Sequence, residues 1–245
     1  MDSVVLNKVG KRYGKLWALR NVDAAFASGE VIMVIGPNGS GKTTMIKCIL
    51  GLVRATEGSI EVHGMDVNND PKYRHAIGYM PQLSEFPREL TVEHLLNMMN
   101  DIRNAAPGST DDRLISALGV DGLLNKRVST LSGGMRQKVS AVLAFRYKPS
   151  VLILDEPTAG LDPISAGTLL DAVMETKSNG AMVMITSHIM EEVQQLGDRM
   201  AYLQDGTLRA FLAPRAVTDM TGEKLLSKAL PKYLAQLPKN HVESL

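Results

Sequence analysis

Three stretches of the chain, residues 31–35, 151–154 and 181–185, are apolar without interruption and rich in Val, Ile and Met. Their length and β-branched content predict strands buried on both faces, whereas a membrane-crossing helix needs about 20 apolar residues in a row. Shorter pieces at 3–9 and 19–26 read as further strands, with a break at 11–14 and a turn at Ser28-Gly29. Residues 58–64 form another strand between glycines, and 42–52 read as a helix. From 91 to 147 the apolar spacing turns helical, with helices expected at 91–103, 111–117 and 134–147. A helix at 164–177 separates strand 151–154 from strand 183–186, an order that predicts parallel pairing through a right-handed crossover. Strands at 200–203 and 207–211 close the regular part.

The pattern reads as a single α/β domain. Its core spans 1–83 and 149–212 and begins with a β subdomain; a helical insertion occupies 84–148, and a short tail runs over 213–245. In the tail Leu225, Leu226, Ala229 and Leu230 share one side of a helix that Pro231 is expected to stop, and that side is expected to pack back on the core.

Composition removes several classes. With 44% hydrophobic and 22% charged residues the chain is ordinary globular material, neither disordered nor fibrous. Lys+Arg of 27 against Asp+Glu of 26 leaves +1, no general field for nucleic acid or an anionic membrane. Cys48 is the single cysteine, so nothing points to an oxidising compartment. No leader-like apolar run precedes Lys8, Lys11 and Arg12. The expectation is a cytoplasmic chain that borrows any membrane span from another polypeptide. Fourteen methionines invite a copper reading, but Met45, Met174, Met182, Met184 and Met200 fall in elements expected to be core.

The chemistry begins after strand 31–35. Gly36-Pro37-Asn38-Gly39-Ser40-Gly41-Lys42-Thr43 has the spacing G-x-x-x-x-G-K-[ST] between a buried strand and a helix. Glycines let backbone N–H groups close on phosphates, and the helix start adds partial positive charge. Lys42 would supply a point charge to the β/γ-phosphates of ATP, and Thr43 an oxygen to Mg²⁺, with Thr44 completing the nucleotide contacts. Asp155 ends the apolar strand, where it would face Mg²⁺ through a water, and Glu156 follows where a carboxylate could polarise a water attacking the γ-phosphate. This is a phosphate-loop (P-loop) nucleoside-triphosphatase core.

Leu131-Ser132-Gly133-Gly134-Met135, opening a helix shortly before Asp155-Glu156, resembles the signature of the ATP-binding cassette (ABC) family, and the resemblance covers nearly the whole chain. The resemblance implies the ABC ATPase fold. It also implies that Tyr13 stacks on adenine, that Gln82 is the lid glutamine and a Mg²⁺ ligand, that Asp162 belongs to the dimer-contact loop, and that His188 contacts the γ-phosphate. The implied catalytic residues are Glu156, His188 and Lys42. Two copies are expected to sandwich two ATP head to tail, each phosphate loop facing Ser132, Gly133 and Gly134 of the other. Met135 departs from the signature, which often has Gln there.

The family's ATPases normally dock on separate transmembrane permease subunits, so the chain is expected at the cytoplasmic face of the membrane, with no nucleic acid. The docking groove would involve parts of 83–95, where Leu83, Phe86, Leu90, Val92 and Leu95 supply apolar surface. Residues 125–130 lack the acidic, glycine-containing segment of fused multidrug exporters, and the tail is too short for the regulatory domain of sugar importers. The remainder resembles stand-alone bacterial ATPases of exporters or membrane-processing systems, among them those that mature the copper site of nitrous-oxide reductase. Two alternatives stay open: a soluble ABC-type ATPase acting on nucleoprotein, and a phosphate-loop kinase or GTPase.

Overall fold

In the computed structural model, which describes residues 2–237 and 243–244, the chain opens with a long hairpin, β1 (Asp2–Tyr13) and β2 (Leu16–Ala27). The break expected at 11–14 shrinks to the two-residue turn Gly14-Lys15, because Tyr13 pairs with Leu16. Register shifts between Leu6 and Val9 and between Val9 and Lys11 put the side-chain alternation out of phase, which blurs the strand in the sequence. After β3 (Val31–Ile35) and α1 (Lys42–Ile49) come β4 (Glu57–Val62), β5 (Met65–Asp66) and β6 (Ile77–Met80). The helical insertion holds α2 (Val92–Arg103), the single-turn α3 (Arg113–Ala117) and α4 (Gly133–Phe145). Then β7 (Val151–Asp155), α5 (Pro163–Ser178), β8 (Met182–Thr186), α6 (Met190–Leu196), β9 (Arg199–Gln204) and β10 (Thr207–Leu212) complete the core. The tail forms α7 (Pro214–Thr221), α8 (Leu226–Gln236) and β11 (Glu243–Ser244), which pairs in parallel with β10. The rest of the tail, residues 238–242 and 245, lies outside the described residues.

Two sheets result. β2-β1-β4-β5 is antiparallel, and β11-β10-β9-β3-β8-β7-β6 is mixed, with β9, β3, β8, β7 and β6 parallel. The apolar runs are continuous because both faces of this second sheet are covered. Alternate residues of β3 go to different cores. Val31, Met33 and Ile35 join Leu152, Leu154, Val183 and Ile185 against the helical side, whereas Ile32 and Val34 join Val151, Ile153, Met182 and Met184 toward Val4, Leu6, Ile46 and Ile60. Burying each such side chain contributes about 1.5–3 kcal/mol before entropy is subtracted.

The structure corrects some expectations. Helix α8 passes through Pro231 rather than stopping there. Proline removes one backbone donor, but Leu226, Ala229, Leu230 and Tyr233 bury on the larger core and hold the helix, while Leu225 is half exposed. Met174 is on the solvent side of α5, whereas Met45, Met182, Met184 and Met200 are fully buried. Val92 and Leu95 are core, Phe86 packs partly against it, and Leu83 is 80% exposed. No helix among the described residues is long and apolar enough to cross a membrane.

Candidate nucleotide site

Three neighbouring parallel strands, β3, β8 and β7, deliver their carboxyl ends to one place, the position where open α/β sheets bind ligands. The turn after β3 is the glycine loop, and its geometry demands glycine. A Cβ on Gly36, at φ 148°, would fall 2.1 Å from the Leu203 carbonyl oxygen; one on Gly41, at φ 107°, would fall 2.5 Å from that of Ala18. Pro37, Asn38, Gly39 and Thr43 face solvent, Gly36, Gly41 and Thr44 are half-buried, and the Ser40 hydroxyl is buried with no hydrogen-bond partner. Lys42 starts α1, and its Nζ donates to the carbonyls of Gly36 at 2.8 Å and Pro37 at 3.2 Å. Burial lowers the pKa of this ammonium, while the charges of Glu156 and Asp155 pull it back up. A cation at a helix N-terminus beside inward-turned backbone is an anion cradle.

At the end of β7 the Asp155 carboxylate is buried, and burial raises its pKa despite a 2.5 Å bond donated by Thr186 Oγ1. Tyr79, beside it on β6, has its phenol pushed up to about 12, first by burial and then by the Asp155 charge. Glu156 adopts φ 52°, a left-handed conformation unusual for a side chain of its size. Its backbone N–H donates to Thr186 Oγ1 at 2.9 Å and to the Thr186 carbonyl at 3.2 Å. The carboxylate is gripped from two sides: Gln82 Nε2 donates to Oε2 at 2.9 Å, and His188 Nε2 lies 2.8 Å from Oε1. Gln82 arrives from the loop after β6 and His188 from the loop after β8, so three residues more than 100 positions apart at the extremes meet at one carboxylate.

The other candidates lie in two further places. Tyr13 ends β1 at the hairpin tip, half exposed, with the Lys11 ammonium 5.0 Å from its ring centroid. Ser132 caps α4, accepting from the Met135 N–H at 3.2 Å, with Ser132 and Gly133 exposed. Gly134 packs so tightly that a Cβ would stand 2.9 Å from the Gly160 carbonyl. Asp162 caps α5 through Ser165 and pairs with Lys138 of α4 at 3.0 Å; bonds from Ser165 and Lys138 hold its carboxyl far below the usual range. The helix that begins at the 131–135 segment and the loop bearing Asp162 are thus fastened to each other within one chain. Thr186, Thr158, Ser187 and Glu192 also bond within these loops and carry no signal of a role in the sequence, although Thr186 and Ser187 directly precede His188.

The donor chemistry fits Mg²⁺. No group of three or more His, Cys, Asp or Glu side chains among the described residues could hold an ion by itself. Thr43, Asp155 and the Gln82 side chain offer hard oxygens with a single carboxylate, the kind of set that holds Mg²⁺ together with substrate phosphates.

This arrangement is that of a nucleotide-hydrolysing cassette, and the comparisons agree. The model of the ABC transporter family matches residues 19–159, more than half of the chain, and the chain belongs to that family; it is an ABC ATPase. It is 32% identical over 231 residues to the uncharacterized ABC transporter ATP-binding protein YdbJ of Bacillus subtilis, covering 92% of this chain and 73% of that protein. Among solved structures, an ATP-binding subunit of an ABC transporter superposes with a TM-score of 0.89 at 28% identity, covering 95% of this chain and 99% of that one. A dimeric cassette in a post-hydrolysis state bound to ADP and Pi reaches 0.74 at 26% identity, over 86% and 98% of the two chains.

Proposed function

We propose that the chain hydrolyses ATP as one half of a head-to-tail homodimer and thereby powers a membrane transporter. The observation that carries this reading is the meeting of Gln82, Glu156 and His188 beside the Lys42 loop. In this reading the 36–43 loop and the start of α1 hold the phosphates, Tyr13 stacks on the adenine, and Thr43, Asp155 and Gln82 hold Mg²⁺. Bound Mg²⁺ would neutralise the β- and γ-phosphate oxygens. Glu156 polarises the attacking water, and His188 orients that carboxylate and reaches toward the γ-phosphate. Gln82 reports the state of the same carboxylate to the loop around Leu83 and Phe86, the surface proposed to seat a permease helix.

An exposed helix start supports the dimer. The exposed Ser132-Gly133 start of the thirteen-residue α4 offers a second anion-binding helix end, and Lys138 of the same helix pairs with Asp162. The dimeric ADP-bound cassette among the structural neighbours supports a dimer. Placement at the inner face of the membrane, and service to an exporter or a processing system such as nitrous-oxide reductase maturation, rest on the family resemblance, with cargo chosen by the membrane subunit.

The test uses tagged Glu156→Gln protein recovered with ATP from detergent-solubilised membranes. A dimer mass that depends on ATP, together with a co-purifying multi-span membrane protein, is the expected result. Recovery of soluble nucleoprotein with no membrane subunit would transfer the reading to a soluble ABC-type ATPase.

A further inference from the structure

Behind the Glu156–His188 contact lies a second link between the same two loops. Glu192, in the first turn of α6, accepts from Thr158 Oγ1 at 2.9 Å through one carboxylate oxygen and from Ser187 Oγ at 2.7 Å through the other. Thr158 stands two residues after Glu156, and Ser187 one residue before His188. Ser187 is buried, and its Oγ also accepts from the Ile189 N–H at 3.1 Å, so the hydroxyl pins the bend that turns His188 toward the site. The loop bearing Glu156 is itself tightened by Ala159 N–H donating to the Glu156 carbonyl and Leu161 N–H to that of Thr158.

We propose that Glu192 is a positioning residue for hydrolysis, clamping the loop that carries Glu156 to the loop that carries His188. The inference rests on the hydrolytic roles proposed above for those two residues. An ionised carboxylate only accepts, so both hydroxyls must donate to it, and charge-assisted bonds of this length are stiffer than neutral ones. The spacing of the two carboxylate oxygens fixes the spacing of the two hydroxyls, and with it the relative position of the loops. The His188–Glu156 contact in front and the Glu192 bridge behind make a closed ring of contacts. A misplacement of about 1 Å at such a site costs up to about 100-fold in rate.

The experiment compares steady-state ATP hydrolysis, ATP affinity and thermal unfolding for Glu192→Ala, Glu192→Gln, Glu156→Gln, His188→Ala and the double variant His188→Ala/Glu192→Ala. Glu192→Ala is expected to lower kcat by about 10-fold or more with KM for ATP within about twofold, since the phosphate loop is untouched. Glu192→Gln keeps one carbonyl acceptor and can donate to the other hydroxyl, so it should recover much of the lost turnover. In the double variant the Glu192 substitution should add little beyond His188→Ala, because both act through one geometry. Wild-type kcat in Glu192→Ala overturns the proposal, as does full multiplication of the two losses or a rise in KM with kcat unchanged. If Glu192→Ala fails to fold, Glu192→Asp takes its place: its carboxylate sits one methylene further back and no longer reaches both hydroxyls, and normal turnover there is equally fatal. Wild-type turnover in Glu156→Gln and His188→Ala would instead remove the underlying assignment of roles.

Discussion

Thr186→Val is the sharpest probe of how the site is held. Thr186 is fully buried at the end of β8; its hydroxyl donates to Asp155 at 2.5 Å and accepts from the Glu156 N–H at 2.9 Å. Valine fills nearly the same space, so packing survives and the polar links alone are lost. A hydrogen bond to a charged group contributes about 1.5–3 kcal/mol and a neutral one about 0.5–1.5 kcal/mol, so the variant should lose about 2–4.5 kcal/mol of unfolding free energy. The Asp155 carboxylate, already raised by burial, loses the bond that lowers its pKa and rises further. Glu156, in a left-handed backbone conformation whose strain is of order 1–3 kcal/mol, keeps only the longer bond to the Thr186 carbonyl. Its carboxylate should wander, and kcat should fall by about 10-fold or more. Urea unfolding in parallel with ATP turnover measures both. An unfolding free energy within about 0.5 kcal/mol of wild type and unchanged turnover would show that the Thr186 hydroxyl does not hold the site.

Asp155→Asn should stabilise the nucleotide-free protein at pH 7 by about 0.5–2 kcal/mol while abolishing Mg²⁺-dependent hydrolysis. The sign follows from the raised pKa: Asp155 favours the fold below its unfolded-state pKa and loses that contribution as pH rises through the higher folded value, so the gain over wild type should shrink as pH falls in chemical denaturation. Leu226→Ala, emptying a fully buried site under α8, should cost about 2–5 kcal/mol in urea unfolding yet leave turnover per folded molecule unchanged; normal stability would mean the tail does not pack as described. Gly36→Ala should cost about 1–3 kcal/mol and weaken ATP binding measured by calorimetry, because its Cβ would meet the Leu203 carbonyl.

The parts that were legible in the sequence are those whose physics is local. The phosphate loop needs glycines, Lys42 and Thr43 in one contiguous run between a strand and a helix, and both flanking elements form as expected. The strands 31–35, 151–155 and 182–186 announce themselves because a sheet covered on both faces leaves no polar alternation. Bulges shift the phase in β1, so only its 3–9 part is read as strand, and β6, four residues long, displays too little period to be read at all. α6 and α7, of seven and eight residues, span too few turns to stand out in the sequence, and burial of Leu226, Ala229, Leu230 and Tyr233 carries α8 through its own proline. The supporting shell was illegible for a different reason: Thr186 to Asp155 and Thr158 to Glu192 are 31 and 34 residues apart, and common residue types at such separations carry no signal until the chain is folded.

The central claim, that Glu156 does the chemistry while the 36–43 loop does the binding, meets its most direct test in one comparison. ATP affinity and single-turnover hydrolysis would be measured side by side for the wild-type protein and Glu156→Gln. The variant's affinity is expected within a few-fold of wild type and its hydrolysis slower by at least about 10²-fold. Hydrolysis near the wild-type rate, or a loss of affinity large enough to explain the slower rate, would contradict it.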